Sequence, residues 1–496
     1  MISNTKKFAI LLFKGAVAST AVTSATQIIG IILLPVFTYY LTPEDYGTVS
    51  IVSMIALVLS HITNPGILTA TTRLYHDTED INERKLLIGS TNVYFLLVAI
   101  IPVIICLIFG PKLFSWIFKD FSFYPYGFLA VLLTLIRQPA RIWITLMNLQ
   151  YKFHQAAIYN GISLIIGIVV TVILVVYFEM GAMGKVLGMF PSAIILVFIS
   201  LVTVHRYTKG IWSFQNIKKQ FLFGLPILGL LWSTQILELG GAYMLERFSN
   251  MKSVGLFALA MSLAQLPLIL INGLRQMWDP IIYENMNKKD YHTISKLAYY
   301  FIGILTIIIL GVLLFGKEAI IIIVNPRYYD AIPLVGFLIM GAYFNGLITL
   351  SNSILGFKNK FGTISKFALI GSMVFVFMSI FLIPRFGALG AAISYAISYF
   401  IFFILGVWNQ RETIIKITQS LKVLTPIFLV IVISIISYSF SFYFDFKELN
   451  SLEIILKLTL LVITIILLFY FKIFTTNDFV DTYRTFIKKY KKKFVN

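Results

Sequence analysis

The sequence predicts an all-α integral membrane protein of 14 transmembrane helices, with two parallel six-helix bundles followed by two C-terminal helices. Three observations carry this. Apolar residues fill 59% of the 496 positions and charged residues only 12%, about half the charged share of a soluble domain. The apolar residues fall into runs of the roughly 20 positions that a spanning helix needs. The third observation is that the chain is written twice. Thr26-Gln27-Ile28 and Gly47 return as Thr234-Gln235-Ile236 and Gly255, each 208 residues later. Gly110 and Leu149 return as Gly316 and Leu355, and Gly181-Ala182-Met183-Gly184 as Gly387-Ala388-Leu389-Gly390, all 206 later. Matches in one order at nearly one offset mark two homologous halves.

Taken in order, the runs are 15–40, 47–72, 86–109, 123–146, 157–178, 185–204, 221–245, 254–275, 297–315, 331–353, 364–383, 388–407, 422–443 and 453–471. Segments on the side of the N-terminus hold about three times the Lys and Arg of the opposite side, where Lys112, Lys119, Lys185, Arg247, Lys252, Lys317, Arg327, Arg385 and Lys447 fall. Both termini are therefore expected in the cytoplasm. Each copy of the repeat holds six helices, an even number, so the halves are expected to be parallel, related by an axis along the membrane normal. The expected organisation is an N-terminal lobe over 1–210, a second lobe over 211–415, helices 13 and 14 over 416–475, and a tail over 476–496. In the tail, Phe479, Tyr483, Phe486, Ile487 and Tyr490 recur at helical spacing among lysines. That pattern suits an interfacial helix on anionic lipid or a solvated basic end.

The net charge of +19 punctuates apolar runs instead of forming a patch, which argues against nucleic acid as a partner. A single cysteine, Cys106, excludes an internal disulfide. Lys14 interrupts the first apolar stretch too early for a signal-peptide core, so the first span is expected to insert uncleaved. The loops between spans are too short for a soluble catalytic domain, and the chain is not expected to be an enzyme.

Metal ligands are not expected, since His61, His76, His154, His205 and His292 are scattered without the i, i+4 spacing of a metal-binding helix. Gly311 to Lys317 fits the first positions of a phosphate-binding G-x-x-x-x-G-K loop. Glu318 follows where Ser or Thr would hold magnesium, so no nucleotide site is expected. The informative residues are polar groups at bilayer depth, which normally face a bundle interior or a wet cavity. Arg137 and Arg141 in the fourth span share one helix face. They either form an anion site suited to phosphate oxygens or snorkel toward headgroups. Glu238, in the seventh span, either carries a coupling proton or sodium ion or neutralises an arginine. Ser19, Thr20, Thr23, Thr26, Gln27 and Gly30 form a small, polar stripe on the first span, for close packing or for lining a cavity, and Gln27 recurs as Gln235. His61 and Asn64 precede Pro65-Gly66, where a helix would break. Arg73 and Arg275 end the second and eighth spans, where they follow the positive-inside rule and would also draw an anionic headgroup inward.

The stretch Phe37-Thr38-Tyr39-Tyr40-Leu41-Thr42-Pro43-Glu44-Asp45-Tyr46-Gly47, the twelve-plus-two helix count, the repeat and the Gly-Ala-x-Gly turns resemble one family. It is the bacterial polysaccharide and O-antigen repeat-unit flippases of the multidrug/oligosaccharidyl-lipid/polysaccharide exporter superfamily. The resemblance implies a multi-pass protein of the bacterial inner membrane, working as a monomer among membrane lipids. It would move an undecaprenyl-diphosphate-linked oligosaccharide between leaflets by alternating access, for O-antigen or capsule biosynthesis. Polymerase and chain-length machinery would be its partners. By character and depth, Arg137 and Arg141 would meet the diphosphate. The chain departs from the related lipid II flippases in lacking charges in its first helix apart from Lys14. It also lacks the first-helix acid common in cation-coupled drug exporters. Drug export is the second reading and a membrane polysaccharide polymerase the third.

Overall fold

The computed structural model of the chain describes residues 28–98, 100–224, 228–268, 279, 282–418, 424–443 and 448–471, and the regular structure among them is helical. Eleven of the described helices are long and apolar enough to cross a membrane. They cover predicted spans two to six, eight to twelve and fourteen. The thirteenth falls on Leu424–Tyr443, whose Thr425–Ser437 stretch is a shorter apolar helix, and the seventh on the helix Leu228–Phe248. Gln27 with most of the first-span stripe, Arg275 and the basic tail lie outside the described residues.

In chain order the helices are α1 (Leu34–Tyr40), α2 (Pro43–Thr63), α3 (Ile67–Asp77), α4 (Ile81–Val98), α5 (Ile100–Ile117), α6 (Phe128–Leu149), α7 (Phe153–Val172), α8 (Gly181–Leu187), α9 (Met189–Thr208) and α10 (Phe214–Gly224). They continue with α11 (Leu228–Phe248), α12 (Met251–Ala264), α13 (Tyr291–Ile323), α14 (Ile332–Phe357), α15 (Phe361–Phe386), α16 (Ala388–Asn409), α17 (Arg411–Thr418), α18 (Leu424–Tyr443) and α19 (Ser451–Tyr470). Contacts gather them into two compact units. The first holds the described parts of Met1–Ser262, Ile323–Ala331 and Ala368–Ser398; the second holds those of Leu263–Ile322, Ile332–Phe367 and Tyr399–Asn496. The first unit thus draws residues from both copies of the repeat.

The reason lies at the start of α2. Thr42 caps the helix, its hydroxyl accepting the Asp45 amide at 3.1 Å while the Asp45 carboxylate accepts the Thr42 amide at 3.0 Å. Pro43 takes the first helical position, and Glu44 and Asp45 put acid in the first turn, so each residue favours initiation here. Gly47 then meets the twin element. A Cβ on Gly47 would lie 2.3 Å from the Met251 carbonyl oxygen, and one on Gly255 would lie 1.8 Å from that of Pro43. Pro43 and Met251 are themselves 208 residues apart. The helices α2 and α12 therefore cross backbone to backbone, with i touching j and j touching i as two-fold-related surfaces must.

Other contacts around this crossing come in the same pairs. The Thr38 hydroxyl accepts the Asn325 amide at 3.2 Å, and the Leu41 carbonyl accepts the Tyr328 hydroxyl at 3.0 Å. In the second copy, Glu246 stands 208 residues after Thr38. One of its carboxylate oxygens accepts the amides of Lys119, Asp120 and Phe121 at 2.7, 2.6 and 3.1 Å. Ser249, the twin of Leu41, takes the Lys119 ammonium on its carbonyl at 3.2 Å. Gly181 and Gly387, which open α8 and α16, both adopt φ +55, a left-handed conformation that a side chain would strain. Asp45 lies beside the first of them and Ser253, its twin, beside the second. By the predicted topology these paired contacts all lie at the outer end of the unit.

Toward the other end, the predicted span 47–72 breaks into α2 and α3. Asn64 leaves helical geometry, Gly66 takes φ +74, and the Asn64 side-chain oxygen accepts the Leu68 amide at 3.3 Å to start α3. The bend lets Gly66 approach Gly224 at the end of α10, where a Cβ on either would lie within 2.5 Å of a carbonyl oxygen.

In the second unit α19 is held to α13 by buried charge. Lys317 reaches Glu453 at 2.6 Å, and Lys457 reaches Glu318 at 2.6 Å and Glu453 at 2.7 Å. Two cations and two anions cancel, which such groups require away from water. Gly311 to Lys317 lies inside the continuous helix α13, so it forms no phosphate-binding loop.

Replacing Gly47 with Ala should lower the melting temperature of the detergent-solubilised protein by several degrees, since overpacking costs about 1–3 kcal/mol. Gly30→Ala, at a position where no described residue lies within 4 Å of the added carbon, should leave it unchanged. Equal melting of the two variants would show that the crossing is not tight.

Candidate functional site: the uncovered stripe of α6

Helix α6 is central to the first unit. It packs against α2, α3, α4, α5, α7 and α9. Trp143, Leu146 and Met147 of α6 join Phe95 of α4 and Val204 of α9 in one buried cluster. A polar seam fixes its rotation. The Thr134 hydroxyl donates to the Ala56 carbonyl at 3.3 Å, and the buried amide of Gln138 donates to the Ser60 carbonyl at 3.4 Å and to the Thr63 hydroxyl. The Ser200 hydroxyl of α9 donates to the Pro139 carbonyl at 2.5 Å.

With these faces engaged, one stripe is left. Arg137 is exposed, and Arg141 and Thr145 are half-buried and Asn148 exposed on successive turns of the same face. Among the described residues neither arginine is in an ion pair. Neighbouring helices show what a lipid-facing surface looks like in this protein: Ile100, Ile104 and Ile108 on α5, and Ile158, Ile162 and Ile165 on α7, are all exposed. The α6 stripe has the opposite character, with charge and amide groups where those helices present isoleucine. A guanidinium pair on a polar stripe is chemically suited to a polyanionic oxygen cluster.

His61, half-buried in the last turn of α2, has its Nδ1 at 2.7 Å from the Leu57 carbonyl oxygen, and Asn64 ends α2 while its side chain accepts the Leu68 amide of α3. Arg73 is exposed at the end of α3, 3.5 Å from Asp77. Gln235 is half-buried and Glu238 exposed on one face of α11, and no salt bridge to Glu238 is present among the described residues. Arg137 and Arg141 are thus brought together, as are Gln235 and Glu238. Arg73 stands in a separate pair on α3. Gln27 and Arg275 lie outside the described residues.

Several polar residues acquire partners that spacing does not reveal. Gln138, between the arginines, locks α6 to α2. Lys185, counted above only for topology, points its ammonium over the rings of Phe37 at 4.6 Å and Tyr46 at 3.9 Å, a cation–π cage. Glu246 is fully buried. None of the three left a local signal, in contrast to Glu453 and Lys457 of α19, an i, i+4 acid–base pair in an apolar run.

Comparison with known proteins agrees with this architecture. The model of a family described as polysaccharide biosynthesis protein matches residues 12–286. An uncharacterized membrane protein of Methanocaldococcus jannaschii is 29% identical over 133 residues, 27% of this chain and only 25% of that relative's length. Among solved structures, the lipid II flippase MurJ in an inward closed conformation superposes with a TM-score of 0.67 at 17% identity, covering 93% of this chain and 97% of that one. An inward-facing multidrug resistance MATE family transporter of the MOP superfamily gives 0.57 at 13% identity, over 80% and 99%. These likenesses establish the fold, a multi-pass helical one that both of those structures share. With the family model covering more than half of the sequence, the chain belongs to the polysaccharide biosynthesis protein family.

Proposed function

We propose that the protein is a flippase that carries an undecaprenyl-diphosphate-linked oligosaccharide repeat unit across the cytoplasmic membrane for surface polysaccharide assembly. The observation that carries this reading is the α6 stripe. Two guanidinium groups at bilayer depth, in no ion pair among the described residues, would be costly in lipid and are chemically matched to a diphosphate. The polyprenyl tail would remain among acyl chains while the headgroup and glycan pass along the polar surface. The two lobes, 1–210 and 211–415, would alternate access about it, with both termini in the cytoplasm. Family membership and the flippase fold support this assignment of substrate class. The paired outer contacts around Gly47 and Gly255 would then be the closure that must open for release. Glu238, exposed and without a salt bridge among the described residues, is the candidate for proton or sodium coupling.

In a deletion strain complemented with Arg137→Ala, surface glycan should fall about ten- to a hundredfold, as expected for loss of a hydrogen bond to a charged group worth about 1.5–3 kcal/mol, with membrane protein level unchanged. Arg141→Ala should reduce it less, and Arg137→Lys should not fully restore it, because an ammonium lacks the planar fork. Wild-type glycan in the Arg137→Ala strain would take that residue out of the mechanism. With Glu238→Gln, flipping of a lipid-linked oligosaccharide in proteoliposomes should lose its dependence on a proton or sodium gradient. Retained gradient dependence would assign coupling elsewhere.

A further inference from the structure

A groove of about 530 Å³ opens in the first unit where the ends of α6, α7 and α9 meet. Its lining is segregated by chemistry. Lys152, Arg206 and Gln150 lie at the helix ends, and Trp143, Phe198 and Val202 line it further along the helices. Phe198 precedes Arg206 by two turns of α9, about 12 Å along the axis, so the apolar part extends well into the span. Trp143 is a rigid, buried wall, whereas Phe198 is 69% and Val202 37% exposed, leaving the groove open at its side. No acidic residue lines it, and among the described residues neither Lys152 nor Arg206 is in a salt bridge. The predicted topology places these helix ends in the cytoplasm. Positive-inside placement accounts for basic residues at that level. It does not account for two of them from different helices closing on one apolar cleft that holds no carboxylate.

We propose that this groove binds one anionic phospholipid of the cytoplasmic leaflet, its phosphate met by Lys152 and Arg206 and an acyl chain laid against Trp143, Phe198 and Val202. Basic pockets between spanning helices at this depth are where anionic headgroups bind, and the segregated lining matches an amphiphile whose charge and chain are about one headgroup apart. A free phosphate makes no use of the apolar walls. A second copy of the chain packed isologously would set like charges against each other.

The test uses the full-length protein purified in a neutral detergent, read by thermal melting and by native mass spectrometry. Phosphatidylglycerol should raise the melting temperature and be retained at one molecule per chain, while phosphatidylcholine and inorganic phosphate should do neither. The double variant Lys152→Gln/Arg206→Gln should bind phosphatidylglycerol about tenfold or more weakly, with its lipid-free melting temperature as the check on folding. Val202→Trp keeps both charges and fills the cleft, and it should lose the lipid response as well. The proposal is overturned if the variants respond as the wild type does, if phosphatidylcholine binds equally, if phosphate alone reproduces the shift, or if a dimer appears in place of the lipid adduct. Transport takes no part in these readouts, so failure here and failure of the flippase reading are distinguishable.

Discussion

The close crossing of α2 and α12 is the constraint on which the first unit depends. Two helices whose backbones touch admit no side chain between them, and the carbonyl oxygens of Met251 and Pro43 occupy the space where a Cβ would stand. Small residues are the usual way for spanning helices to approach this closely, because packing and hydrogen bonding must replace the hydrophobic drive that lipid removes. Once Gly47 and Gly255 fix the crossing, the surrounding contacts fall into matched pairs without needing matched chemistry. Thr38 offers a hydroxyl and Glu246 a carboxylate to equivalent loop amides. Duplication kept the geometry and let the residues diverge.

The same crossing gives a physical meaning to Leu41 to Gly47, part of the Phe37–Gly47 run that carries the resemblance to the flippase family. Leu41 supplies a carbonyl to Tyr328, Thr42 and Asp45 cap α2 reciprocally, Pro43 starts it, Tyr46 packs edge-on to Tyr328 and under the Lys185 ammonium, and Gly47 makes the crossing. Six residues thus serve initiation, capping and closure within two turns. Ion-pair geometry in the second unit follows a different rule. There α19 is tied to α13 by a neutral quartet of buried charges, a solution available because removing a single member would leave an uncompensated charge.

Much of the fold was legible in the sequence because the bilayer writes it there. Span length and apolar content locate most helices, and the Pro65-Gly66 pair marks the break between α2 and α3, since one residue lacks an amide hydrogen and the other takes φ +74. Arg137 and Arg141 were legible as a pair from their spacing. Their surroundings were not. That Gln138 turns α6 toward α2 depends on Ser60 and Thr63, more than 70 positions away, and no local pattern encodes such a partner. Lys185 and Glu246 look like ordinary charges near span ends; a cage of two rings and a cluster of three amides appear only when distant segments are brought together. The division of contacts into two units was equally hidden, because contact between the repeat copies obscures the boundary that sequence duplication draws.

The central claim is that the face of α6 carrying Arg137 and Arg141 looks onto water and accepts a diphosphate. Cysteine labelling tests it most directly. With the buried Cys106 replaced, a cysteine substituted at Thr145, on the same stripe, should react with a membrane-impermeant maleimide in membranes made accessible from both sides, and a soluble short-chain prenyl diphosphate should slow the reaction. A cysteine substituted at Ile165, on the isoleucine face of α7, should stay unlabelled. Equal silence at both positions, or labelling at Thr145 that the diphosphate leaves untouched, would contradict the account.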